Sequence, residues 1–346
     1  MRKQKILFTS TVILLLISAL TPSVAASDST PQLACKSTNS QSNVGQLVVA
    51  ASIQHLPSVE WGIRQGCFKK YGLTIKTAPV ATFPIGMAGL ISKSYDIYGT
   101  TPLNFLKSIA DGTFKGKIVG SKFGFTQAEL DRVGQEPLWP GELLMGTALI
   151  VKKESTIKGY KDLIGKKVAV LSFQGNDHAG ILLAFRELGI RNPKIEFLAM
   201  SNTQMADALK NGDVDAVVPA DPIASQIIRD TGRLVAYPGI YIQEVGTAYV
   251  FITSDSISKD KTAEIRAFQK ANLEINRLLN KSENEASYRQ TISEITKVNQ
   301  AVADKIRIPV FSEENMTIAQ LAYIPSKMKK VGFFKGRFDL GPVLFR

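Results

Sequence analysis

The sequence predicts an α/β fold of two similar lobes with mainly parallel sheets, and three observations carry that prediction. From residue 46 onward, short apolar runs rich in β-branched residues alternate with amphipathic segments of helical length, the pattern of βαβ units. A loose internal repeat relates GMAGLISKSYDIY to MADALKNGDVDAVV, so that Leu90 and Asp96 correspond to Leu209 and Asp215, 119 positions on in each case. Residues 148–189 read as strand, lysine-rich turn, short helix, glycine, buried strand, open polar loop and amphipathic helix. An apolar strand ending in a glycine-bearing loop at a helix N-terminus is how α/β sheets make a ligand crevice at the carboxyl ends of their strands.

The elements follow in order. Arg2, Lys3 and Lys5 precede an apolar run over residues 12–20, then Pro22 and the small residues 23–26. That run falls short of the ~20 residues of a membrane span and has the layout of a secretory signal peptide over residues 1–26. Residues 27–45 are rich in Ser, Thr, Gln and Asn with no apolar period, and read as a disordered leader. Strands are expected at 47–53, 74–79 and 95–99, with helices at 57–66, 84–91 and 101–110, Pro102 suiting a first turn. The second copy places strands at 166–171, 195–198 and 214–218 and helices at 178–188 and 203–210. An apolar strand at 247–253 leads into helical spacing over 261–279, 282–303 and 312–323, read as a helical cover that returns to the first lobe, with GFFKG at 332–336 as an exposed end.

Composition narrows the function. The formal charge of +12 falls to +9 when Arg2, Lys3 and Lys5 leave with the signal peptide, but the remaining basic residues are scattered. Without clustered Arg and interleaved aromatics, nucleic acid is not an expected partner. The cysteines, Cys35 and Cys67, survive cleavage, and an even pair in an oxidising compartment reads as one disulfide. A lipid anchor at Cys35 is the rival reading, against which Gln32, Leu33 and Ala34 make a poor lipidation box. Cys and His do not cluster at metal spacing, and neither G-x-S-x-G, G-x-x-x-x-G-K-[ST] nor H-E-x-x-H occurs, so no cofactor, metal or catalytic residue is expected.

Three blocks taken together carry a family resemblance: AASIQHLPSVEWGIRQGCFKKYGLTIK, KKESTIKGYKDLIGKKVAVLSFQGNDHAGILLAFRELGI and LKNGDVDAVVPADP. In this order, behind a signal peptide, they resemble the sulfonate, nitrate, taurine and thiamine-pyrimidine group of ABC-importer substrate-binding proteins, over about residues 46–336. The resemblance implies a type II periplasmic-binding-protein fold, two α/β lobes with mainly parallel sheets joined by two crossing segments near 146–151 and 246–250. Lobe one would be residues 46–145 with 247–346, and lobe two residues 146–246. It further implies a small-molecule ligand clamped between the lobes, an ABC permease as partner, action as a monomer, and a location in the periplasm or on the outer face of the cytoplasmic membrane. The alternative on the same fold is a thiamine-pyrimidine synthase, an enzyme whose cysteine-rich stretch this chain lacks.

Loops at the carboxyl ends of the strands should face the cleft. These are Gln54 and His55, Thr82 and Phe83, and Gly99, Thr100 and Thr101 in the first lobe. In the second they are Phe173, Gln174, Gly175, Asn176 and His178, with Asp221 after the last strand. Phe83 and Phe173 are candidate flat walls, backbone amides at Gly175 and Asn176 a candidate polar site, and Asp177 a helix cap. Asp177 and Asp221 would repel a sulfonate or nitrate unless engaged, whereas an amine-bearing heterocycle could use one. The ligand class stays open at this point.

Overall fold

In the computed structural model, which describes residues 34–35, 42–132 and 146–346, the strands are β1 Gly45–Ala51, β2 Leu73–Pro79, β3 Ile97–Thr100, β4 Gly116–Phe125, β5 Leu149–Lys152, β6 Lys167–Val170, β7 Glu196–Ala199, β8 Ala216–Val217, β9 Gly232–Ala236, β10 Gly246–Ser254 and β11 Val310–Phe311. The signal peptide expected over 1–26 and most of the leader lie outside the described residues. The strands form two sheets, β11-β4-β10-β3-β1-β2 and β7-β6-β8-β5-β9. Each has a parallel half, β2-β1-β3 and β7-β6-β8, and an antiparallel half beginning at a strand that enters from the other lobe. The sheets are therefore mixed rather than mainly parallel: β10 and β5 cross between lobes and meet β3 and β8 head to tail, and β4 and β9 then pair antiparallel with those crossing strands.

The repeat that the sequence shows as two loose blocks holds in hydrogen-bond detail. Asp96 donates its backbone N–H to Val48 O (2.9 Å) and accepts from Val48 N–H on its carboxylate (2.7 Å). Asp215 does the same with Lys167, at 2.9 Å for both bonds. Val48 and Lys167 are themselves 119 positions apart. The same offset carries the starts of helices Pro57–Arg64 and Phe83–Ile91 onto those of Asn176–Glu187 and Asn202–Asn211. In each copy an aspartate just before the third strand ties it to the first strand by a backbone and a side-chain bond, fixing the register on which the strand-end loops depend.

Strand β4, a ten-residue element, escapes the sequence reading because Gly116, Gly120 and Gly124 interrupt its apolar alternation. Those glycines have a packing reason: a Cβ at Gly116 would stand 2.2 Å from Thr253 O and one at Gly124 2.0 Å from Gly246 O, both on β10. Helices Thr262–Leu279 and Glu285–Thr296 cover the first sheet, burying Phe268 and Ile275 with Trp61, whose indole N–H donates to Ser287 (2.9 Å). The expected helix over 282–303 is broken by Lys297 in the left-handed region (φ 63°), and the helical span 312–323 shrinks to the short helix Ile318–Leu321, with β11 just before it and Tyr323–Lys330 after it. Nor is GFFKG exposed as a whole. Phe333 is buried, its ring 5.1 Å from that of His178, and Lys327 donates to Tyr241 O (3.0 Å), so the C-terminal segment reaches the second lobe as well as the first.

Cys35 and Cys67 are joined, with Cα atoms 4.9 Å apart. Among the described residues no helix is long and apolar enough to cross a membrane.

Candidate functional site

The strand-end loops of both lobes meet in one cleft of about 920 Å³, part of it open to solvent. From the first lobe come Ser52, Gln54 and His55 after β1, Thr82 and Phe83 after β2, Tyr98 to Thr101 on β3, Asn104 on the following helix, and Phe123 and Phe125 on β4. The second lobe contributes Leu171 and Ser172 after β6, Asn176, Asp177, Ala220, Gly239 and Gln243. The crossings add Gly146, Thr147, Ala248 and Tyr249.

The floor is aromatic. Tyr249 of β10 stacks on Phe123 of β4 with centroids 5.6 Å apart, and the His55 ring lies 3.9 Å from the Tyr249 ring. Gly99 makes this possible, because a Cβ there would stand 2.9 Å from the Tyr249 ring. Tyr98 lies over Gly86 of the helix Phe83–Ile91 in the same way, a Cβ falling 2.3 Å from its ring, and Phe83 packs 6.2 Å from it. Burial, reinforced by the charge of Lys122, holds His55 well below its ordinary pKa, so the imidazole is neutral.

Asp177 is the cleft's buried charge. Its Oδ1 accepts from the Thr147 hydroxyl (2.8 Å), and burial pushes its pKa up to about 6 against that bond. The helix Asn176–Glu187 has Gly175 as its N-cap with no side-chain cap, so Asp177 is a first-turn residue turned toward the crossing strand and not the cap that its position suggested. Two amide oxygens on the cleft wall, Gln54 Oε1 and Asn176 Oδ1, are buried with no hydrogen-bond partner among the described residues.

Eight of the expected residues line this cleft: Gln54, His55, Thr82, Phe83, Gly99, Thr100, Thr101 and Asn176. Thr101 also has a local role, its hydroxyl accepting from Asn104 N–H as a helix cap (3.3 Å). The other five stand elsewhere. After β6 the chain turns through Gln174 in the left-handed region (φ 57°), with Gly175 N–H donating back to Ser172 O (3.3 Å), and the turn sends Phe173 outward to 58% exposure along with Gln174. Phe173 is thus a surface residue and not a wall. Gly175 lies behind the lining, where a Cβ would stand 2.9 Å from Asn104 Oδ1 of the first lobe. His178 faces away: its Nδ1 accepts from Gln174 N–H (3.0 Å) and its ring packs 4.1 Å from Phe197, burial lowering its pKa to about 4. Asp221 lines a neighbouring cavity with Lys122, Tyr288 and Arg307, its Oδ1 accepting from the Ser225 hydroxyl (2.8 Å) and N–H (3.0 Å).

Phe123 and Phe125 were missed with their strand, and Tyr98 and Tyr249 because a tyrosine inside an apolar run reads as core. The four-residue spacing of Gly116, Gly120 and Gly124 was the available signal, since glycine within a strand marks close approach of another backbone. Among the described residues no group of three or more His, Cys, Asp or Glu stands together as a metal site would require.

The model of the family described as NMT1/THI5 like matches residues 145–274. That stretch of the chain is similar to the NMT1/THI5-like family. That segment holds Thr147, Asn176, Asp177 and Tyr249, the second-lobe face of the cleft and both crossings. The fold around it is that of the periplasmic binding proteins. The alkanesulfonate-binding protein SsuA from Xanthomonas axonopodis pv. citri, bound to MOPS, superposes with a TM-score of 0.70 at 17% identity over 87% of this chain and 98% of that one. A Candida albicans protein described as exhibiting the generic periplasmic binding protein fold gives 0.65 at 15%, over 85% and 92%. The periplasmic nitrate-binding protein NrtA from Synechocystis PCC 6803 gives 0.59 at 15%, over 74% and 68%. No curated protein sequence matches.

Proposed function

We propose that this chain is the exported solute-binding component of an ABC importer. In this reading residues 1–26 are a signal peptide and 27–45 a leader, and the mature monomer works in the periplasm or at the outer face of the cytoplasmic membrane. A small solute settles on one lobe. The other closes over it because the closed form makes more contacts, and that difference in affinity drives the motion. A membrane permease then takes the solute from the closed form. Gln54, His55, Thr82, Phe83, Gly99, Thr100 and Asn176 contact the solute, together with Tyr98, Phe123, Asp177 and Tyr249.

The observation that carries this reading is the shape of the site: one cleft lined by strand-end loops of both repeats and by both crossings, so that it is complete only when the lobes meet. The named roles of the structural neighbours as sulfonate- and nitrate-binding proteins support it. A disulfide between Cys35 and Cys67 suits an oxidising compartment.

A thermal-shift screen of sulfonates, nitrate, pyrimidines, nucleobases, flavin-like compounds, amines and amidines tests it on the purified protein. A true ligand at 100 times its dissociation constant adds about 2.7 kcal/mol to stability. A stabilising compound recovered unaltered is the expected result. A compound turned over by the protein would favour the synthase-type enzyme, and no response to any class would reject both.

A further inference from the structure

The sulfonate- and nitrate-binding neighbours bind oxyanions, yet the charge in this cleft has the wrong sign for one. No Lys or Arg is among its described lining residues, and of the ionisable side chains that line it and are buried (Asp177, His55, Tyr98 and Tyr249) the one charged near neutral pH is the Asp177 carboxylate. Asp177 is 6% exposed, lines the cleft, and its one side-chain hydrogen bond given among the described residues is to the Thr147 hydroxyl through Oδ1. Standing in the first turn of the helix Asn176–Glu187, it supplies from within the chain the negative charge that a helix N-terminus favours. An incoming oxyanion would meet that carboxylate at short range.

The remaining polar groups point the same way. Gln54 is 8% exposed, and its Oε1, like Asn176 Oδ1, is an acceptor with no partner among the described residues. Such acceptors call for donors on the ligand. The Tyr249, Phe123 and Tyr98 rings offer π faces, which attract cations. Lys122 is the competing cation: its nitrogen is in the neighbouring cavity, donates to His55 O (2.6 Å) and lies 5.3 and 5.5 Å from the Tyr249 and Phe123 ring centroids, but burial lowers its pKa to about 7, so at pH 7.5 most of it is uncharged.

We propose that the cleft takes an organic cation, a solute whose protonated amine, amidine or guanidine donates to Asp177 and whose flat apolar body lies on the aromatic floor. The proposal rests on the solute-binding reading above and names the chemistry of its ligand. It sets this chain apart from the sulfonate- and nitrate-binding proteins that share its fold.

The test uses benzamidine and benzylamine as cationic probes, benzamide as the neutral counterpart, and benzenesulfonate and nitrate as anions, by thermal shift and calorimetry on the purified protein at pH 7.5. The cations should bind, the neutral probe at least tenfold more weakly, and the anions not at all. Asp177→Asn should cost benzamidine at least tenfold in affinity, while Lys122→Met and Asp221→Asn, in the neighbouring cavity, leave it within twofold to threefold. If Asp177→Asn does not fold, the pH series on the unmodified protein decides. At pH 5 about a tenth of a carboxylate with a pKa near 6 stays ionised, so benzamidine affinity should fall about tenfold from pH 7.5. Lys122, at about 7, and Asp221, at about 6, titrate in the same window, whereas His55 and His178 stay neutral over most of it. The fall must therefore persist in the Lys122→Met and Asp221→Asn variants. Binding of benzenesulfonate or nitrate without the cations, or a pH-independent benzamidine affinity, overturns the cation assignment and leaves solute binding standing. No binding by any compound of this panel or of the wider screen overturns both.

Discussion

Burial of Asp177 is a stability cost kept at a place of use. In the unfolded chain its carboxyl titrates near 3.8, and in the folded protein near 6, so between those values the folded state holds the extra proton. Stability therefore falls as pH rises from 4 to 6, and the whole penalty is present above 6. Asp177→Asn should make the ligand-free protein more stable by about 1–3 kcal/mol at pH 7.5, with the gain gone at pH 4. Melting curves at the two pH values check this, and equal shifts at both would contradict it. At this scale the sequence was partly legible. Gln54, His55, Thr82 and Asn176 could be placed by counting to the ends of strands, because main-chain topology alone sets where those loops emerge. Phe173 and His178 could not, because a single left-handed residue, Gln174, decides which way the turn after β6 throws its side chains.

Among the elements, β4 shows what periodicity misses. Gly116 and Gly124 are required by the close backbone approach of β10, a contact 120 residues and more away in sequence, so the apolar alternation by which strands are recognised is broken by the very pairing that forms the strand. Gly124→Ala sets a methyl against the Gly246 carbonyl with no side chain to move aside. It should cost about 2–3 kcal/mol and loosen the second crossing, lowering the melting temperature and the affinity for any cleft ligand together. A variant melting within a degree of the parent would show that the two strands can part without cost. The strands that were legible, β1 to β3, β5 to β8 and β10, are apolar or alternating runs bounded by polar turns, in either lobe and at both crossings.

For the whole molecule, the 119-residue repeat is the organising fact. Two copies of one β-α-β-α-β unit, each closed by a strand borrowed across the boundary, set their strand-end loops face to face, and a cleft between like halves follows from that topology. The repeat is visible as two short blocks, and within them Asp96 and Asp215 bond the same way in each copy. What sequence could not reveal is the reach of the C-terminal segment: His178 against Phe333, and Lys327 on Tyr241 O, join the second lobe to the chain end. Such joins form only once both lobes are built. Small-angle scattering with and without a saturating compound from the screen, followed by mass measurement of the recovered compound, tests closure on an unaltered solute most directly. The radius of gyration should fall on binding while the compound's mass stays the same. An unchanged radius at full occupancy, or a compound recovered with an altered mass, would contradict it.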